Sequence, residues 1–135
     1  MRFVLDTSVA VSWCFDDEHH AVADTALEIL KRGESAGVPA LFWFELRNAV
    51  LTGHRRKRIS EQLMMETLET IGEASLVIQA LPHERSVFPL ALRHGLSFYD
   101  ATYLELALRE RLPLATLDKS LGRAAVAAGV LLIGA

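Results

Sequence analysis

Residues 2–8 read Arg2-Phe3-Val4-Leu5-Asp6-Thr7-Ser8, a short apolar run that stops abruptly at an acid and two hydroxyls. This is the pattern of a buried strand that delivers polar side chains at its carboxyl edge. Downstream, Asp16-Asp17-Glu18 sets acids where a helix start favours them, and Val22, Ala26, Ile29 and Leu30 fall on one helical face. Gly33, after Lys31-Arg32, is the stop signal. Val38-Pro39-Ala40 leads into a strongly apolar helix, Leu41 to Leu51, with Glu45, Arg47 and Asn48 as its only polar interior residues and Gly53 as its end. The basic run His54-Arg55-Arg56-Lys57-Arg58 reads as a connection, and Ser60 starts a helix that turns Leu63, Met64, Leu68 and Ile71 toward the core. Leu76-Val77-Ile78 reads as a second buried strand, followed by a shorter helix to His94-Gly95 that Pro89 should kink or delay. Ser97-Phe98-Tyr99-Asp100 opens a further helix, through about Glu110, with capping-box-like spacing. Leu114-Ala115-Thr116 is a third strand, Leu121 to Ala128 a helix closed by Gly129, and Val130 to Ile133 a last strand.

Strands separated by helices imply parallel crossovers, hence an α/β fold with a central parallel sheet covered on both faces. The 135 residues are one domain's worth of chain, read as a single unit over 1–135. With 51% apolar and 23% charged residues, eight Gly and four Pro, the composition is neither disordered nor fibrous. The longest nearly uncharged tract, Ala124 to Ala135, falls far below the roughly 18 residues that span a bilayer, so neither a membrane span nor a signal peptide is expected. Cys14, the single cysteine, fits a reducing cytoplasm and excludes a disulfide framework. The net charge of −3 does not by itself attract a polyanion, so any nucleic-acid binding has to be local or metal-assisted.

The chemistry follows from where parallel sheets place their ligands, beyond the carboxyl ends of the strands. Asp6 follows the first strand and Asp118 follows Leu114 to Thr116, so neighbouring strands would send both carboxylates into one crevice. Asp100, in the first turn of its helix, and Glu45, inside an apolar helix, are placed to join them. Four carboxylates at close range in a partly desolvated site raise one another's pKa unless a cation intervenes. All-oxygen ligation with no Cys or His at metal spacing points to Mg²⁺ or Mn²⁺ rather than zinc. Such ions activate water against phosphodiesters, which gives a metal-dependent nuclease without a protein nucleophile.

The same residues resemble a known family. Phe3-Val4-Leu5-Asp6-Thr7-Ser8-Val9, the Glu45-x-x-Asn48 helix, Leu96-Ser97-Phe98-Tyr99-Asp100-Ala101-x-Tyr103-Leu104 and Leu114-Ala115-Thr116-Leu117-Asp118 look like the successive motifs of the PIN domain. The likeness is nearest to the VapC-type toxins of toxin–antitoxin pairs and runs nearly end to end. It implies a single three-layer PIN-like domain, an endoribonuclease acting with Mg²⁺ or Mn²⁺, a homodimer, and inhibition by a VapB-type antitoxin whose tail occupies the groove. By position, Asp6, Glu45, Asp100 and Asp118 match the acidic quartet, Asp6 and Asp100 as main ligands, Glu45 and Asp118 binding directly or through water. Thr7, Ser8 and Thr116 match polar positions that orient a ligand or water, and Asn48 a supporting position.

Simpler roles compete for several of these residues. Asp6 or Ser8, Asp100 and Asp118 are each placed to cap a helix, whereas Glu45 has no capping role and needs a partner, an arginine in the bland case. His54 to Arg58 is either an exposed turn or a strip in which Arg55, Arg56, Lys57 and Arg58 contact RNA phosphates. Trp43, Phe44, Met64 and Met65 read most simply as core, yet their two helices carry more apolar residues than one buried face requires, leaving a surplus for a partner helix or a dimer surface. The competing functions are a PIN-like binding module that has lost its chemistry and an aspartate-nucleophile phosphatase. The second is disfavoured because Ser8 stands where that chemistry wants another acid.

Overall fold

The computed structural model describes residues 1–134. Four strands, β1 (Phe3–Leu5), β2 (Ala36–Val38), β3 (Leu76–Ile78) and β4 (Leu114–Ala115), form one sheet in the order β3-β2-β1-β4. Every pairing is parallel, with Phe3 opposite Ala36, Val38 opposite Ile78 and Leu5 opposite Ala115. Seven helices flank it: α1 (Thr7–Ser12), α2 (Ala21–Lys31), α3 (Leu41–Arg55), α4 (Glu61–Glu73), α5 (Glu84–His94), α6 (Phe98–Glu110) and α7 (Lys119–Ala127). The expected α/β class, with its central parallel sheet and flanking helices, is the class observed.

Phe3, Val4 and Leu5 have no exposed surface. Each contributes on the order of 1.5–3 kcal/mol by leaving water, which lets a strand of three residues anchor the middle of the sheet. Helix α6 packs across β1, β2 and β4, with α5 and α7 against it, while α1 packs on α2 and α3, and α4 on α3. Because β1 and β4 are neighbours, the segments that leave their carboxyl ends emerge side by side.

Several sequence expectations need correction. Strand β2 has no signal in the sequence: Ala36-Gly37-Val38 is too short to show a period, and Gly37 lies against the Met1 side chain, whose Sδ would be 2.7 Å from an added Cβ. Leu76-Val77-Ile78 is a strand but not a buried one, since the order puts it at the edge with Val77 and Ile78 exposed. Val130 to Ile133 shrinks to one parallel bridge, Leu132 with Leu114. Gly53 does not stop α3, which continues to Arg55; it lies under Phe15, whose Cζ would be 2.3 Å from an added Cβ, so the glycine serves close packing. Pro89 does not delay α5, which starts at Glu84 and takes the proline inside it. Nor are Trp43, Phe44 and Met65 core: Phe44 is 68% and Met65 56% exposed, so it is the surplus apolar surface that these helices carry outward.

Candidate active site

Asp6 occupies the N-cap position of α1 with extended backbone, yet its side chain makes no cap bond. It is only 5% exposed, and Oδ2 accepts from Ser8 Oγ at 2.6 Å and from Thr116 Oγ1 at 2.8 Å. Both hydroxyls also accept a backbone N–H from the segment after β4, Ser8 from Leu117 at 2.9 Å and Thr116 from Asp118 at 3.0 Å. A hydroxyl has one proton, so each of these must donate its own to Asp6. The carboxylate is thereby strapped between the ends of β1 and β4, and its other oxygen, Oδ1, has no hydrogen-bond donor among the described residues.

Glu45, one turn into α3, finds hydroxyls rather than the arginine of its simpler, purely structural reading. Tyr103 Oη donates to Oε1 at 2.7 Å and Thr7 Oγ1 lies 3.0 Å from the same oxygen, with Thr7 and Tyr103 2.6 Å apart. Two hydroxyl protons cannot serve three oxygen–oxygen edges around an ionised carboxylate. The two shortest contacts give an ordered relay, Thr7 donating to Tyr103 and Tyr103 to Glu45. Burial, with Glu45 and Asp6 nearby, pushes the Tyr103 phenol far above its ordinary range, so it remains a donor. Tyr103 was noted in the sequence only as part of a motif; nothing in the local pattern told that its hydroxyl reaches α1 and α3.

Asp100 and Asp118 complete the acidic wall. Ser97 caps α6 by accepting from the Asp100 N–H at 3.0 Å, while Asp118 caps α7, its Oδ1 accepting from Leu121 N at 2.8 Å. Capping therefore holds for Asp118 through one of its two oxygens. Asp6, Thr7, Ser8, Glu45, Asn48, Asp100 and Asp118 all line one open cavity of about 570 Å³, together with His20 and with Glu18, which the sequence reads only as part of a helix start. Thr116 supports it from behind through Asp6. Arg55 to Arg58 are not among the residues that line this wall, although Arg58 reaches its rim: its guanidinium contacts Asp17 and the lining Glu18 at 3.1 and 3.0 Å and stacks over Phe15.

The electrostatics are those of acids short of a counter-charge. Burial is the largest cause that raises the Asp6 pKa, with Glu45 and Asp118 adding to it against the lowering effect of Ser8 and Thr116. Asp100 is raised in the same way, by burial and then by Asp118 and Asp6. Among the described residues no three His, Cys, Asp or Glu side chains are drawn together into a ready-made metal cage. The four carboxylates share one wall without closing on a point. Their donor set still suits a hard cation, because every donor is oxygen and mutual repulsion already raises two of the pKa values.

A parallel α/β sheet with acids converging beyond the ends of adjacent strands defines an acidic-pocket protein built at a strand-end crevice. The PIN domain family model matches residues 3–127, and the chain belongs to that family. It is similar to Ribonuclease VapC3 of Pyrobaculum aerophilum, with 27% identity over 124 residues that cover 90% of this chain and 92% of that protein. The fold is also that of the crystal structure of PAE2754 from Pyrobaculum aerophilum, with a TM-score of 0.69 and 21% identity over 92% of this chain and 84% of the other. Among the described residues no helix is long and apolar enough to cross a membrane.

Proposed function

We propose that this protein is a Mg²⁺- or Mn²⁺-dependent endoribonuclease, the toxin of a toxin–antitoxin pair. The observation that carries the reading is the convergence of Asp6, Glu45, Asp100 and Asp118, from four separate segments, on one cavity. The similarity to a protein named a ribonuclease supports the choice of RNA. Asp6 and Asp100 would be the main ligands of the divalent ion, with Glu45 and Asp118 binding directly or through water. When bound, such an ion lowers the pKa of water and stabilises the departing oxygen of a phosphodiester.

The chain's own part is positioning. Ser8 and Thr116 fix one oxygen of Asp6, and Tyr103 with Thr7 fixes one oxygen of Glu45, leaving each carboxylate a second oxygen for the cavity. Asn48 lies one helical turn beyond Glu45 and offers an amide to orient water or phosphate. A VapB-type antitoxin with a basic tail would neutralise the same acids. Exposed Trp43, Phe44 and Met65 supply an apolar face suited to that partner or to a second copy in a homodimer.

The test is cleavage of RNA by wild type beside Asp6→Asn, in Mn²⁺, Mg²⁺ or EDTA, with light scattering on the same samples. Metal-dependent cleavage and growth arrest by wild type alone are expected, from a dimer. Equal activity in the variant would sink the catalytic reading, and a monomer at micromolar concentration would remove the dimer.

A further inference from the structure

A second cavity, also about 570 Å³, meets the acidic one at Leu117 and Asp118 and continues along α7. Its wall carries Lys119 and Arg123, one helical turn apart on the same face, about 6 Å along the axis. Neither forms an ion pair among the described residues. In this they resemble most of the chain's Lys and Arg side chains and differ from Arg58, held by Asp17 and Glu18, and Arg109, held by Glu105 and Glu110; what sets them apart is their place on a groove that joins the acids. Val126 and Leu132 give the same groove an apolar side, and Val126 is exposed. A chain of net charge −3 thus keeps two free cations in a trough that opens directly from its carboxylates.

Resting on the nuclease reading above, we propose that this groove is the subsite for the RNA strand flanking the scissile bond. Lys119 and Arg123 hold the backbone phosphate next to the reacting one, and ribose or base packs on Val126 and Leu132. The acids of the first cavity repel a polyanion unless a metal is bound, so a neighbouring cationic contact is what keeps the strand in register there. Phosphate contacts position without reading sequence, so the subsite accepts any nucleotide.

The experiment measures binding of a short fluorescein-labelled single-stranded RNA by anisotropy across a salt series, in an Asp6→Asn background that leaves the strand uncut. Adding Lys119→Ala and Arg123→Ala should weaken binding about tenfold and reduce the slope of log K against log salt by about 0.7, one phosphate contact on a single strand. The charge-conserving pair Lys119→Arg and Arg123→Lys should retain most of the affinity, which separates lost charge from lost folding. In the cleaving protein the alanine pair should raise KM for RNA, the loss falling there more than on kcat. If wild type cleaves RNA while the alanine pair binds and cleaves with unaltered affinity, KM and salt slope, the subsite is refuted and the nuclease reading stands. If wild type neither binds nor cleaves RNA, both fall together.

Discussion

Helix α6 presents two kinds of buried chemistry on one element. Toward α1 and α3 it offers Tyr103, whose hydroxyl serves Glu45; elsewhere along it Glu105, 6% exposed, is gripped by Arg109 Nε at 2.9 Å with a second contact at 3.4 Å. Both Glu45 and Glu105 sit in largely apolar helices, but only Glu105 has a cation. A carboxylate closed by guanidinium is electrically complete and can do little but hold structure. One satisfied by neutral hydroxyls, with other acids across the cavity, keeps its charge available for an ion or substrate. The two acids differ in partner and also in burial, Glu105 being buried and Glu45 half-buried.

Exchanging each carboxylate for its amide breaks this contrast most directly. Glu45→Gln should lower kcat/KM on RNA on the order of 100-fold while shifting the melting temperature little. Glu105→Gln should do the reverse, keeping cleavage within about twofold and losing about 1 kcal/mol of stability, a modest figure because Arg109 is 38% exposed. Cleavage assays and thermal melts on the two variants decide it; equal effects on both readouts would erase the distinction.

Tyr103→Phe sharpens it by keeping the ring and removing only the hydroxyl that donates to Glu45. Cleavage should fall about tenfold and the Mn²⁺ concentration needed for half-maximal rate should rise, with about 1 kcal/mol of stability lost. An unchanged Mn²⁺ titration would mean that the phenol merely fills space.

The smallest expected effect is on stability against pH. Asp6 and Asp100 are raised above their ordinary values, so between the unfolded and folded pKa the native chain binds more protons than the unfolded one. Stability of the metal-free protein therefore falls as pH rises through that window and stays lower above it. Asp6→Asn should melt a few degrees higher than wild type at neutral pH, about 1 kcal/mol in order of magnitude, and the gap should close below the ordinary aspartate pKa. Calorimetry in EDTA across that range would show it, and a gap that widens on acidification would reverse the assignment.

Much of this was open to reading from the chain. Asp6 and Asp118 each end an apolar strand, and the strand-end rule brings them together once β1 and β4 pair, as they do. Glu45 announced itself because an acid between Phe44 and Leu46 has no capping use. The reading failed where a local pattern has no vote. Ala36-Gly37-Val38 is a strand only because β1 and β3 pair with it on either side. Trp43, Phe44 and Met65 read most simply as core, with a surplus left over, because apolar content says how much a helix could bury, whereas neighbouring elements decide which of its faces are covered. Glu105 gave no warning at all, since an acid four residues before an arginine is ordinary on a solvent-facing helix.

Most of the strands and helices, the parallel class of the sheet and the candidate acids are legible in the one-dimensional pattern, because hydrophobic period and helix signals are local properties of the chain. The partner of each acid is not. The hydroxyls that Glu45 and Asp6 meet lie 38, 58 and 110 positions away, as Thr7, Tyr103 and Thr116 show, whereas the guanidinium on Glu105 and the backbone N–H on Asp118 come from four and three residues on. Only packing brings those long-range hydroxyls to their acids, so only the tertiary structure decides which carboxylates are met by neutral donors.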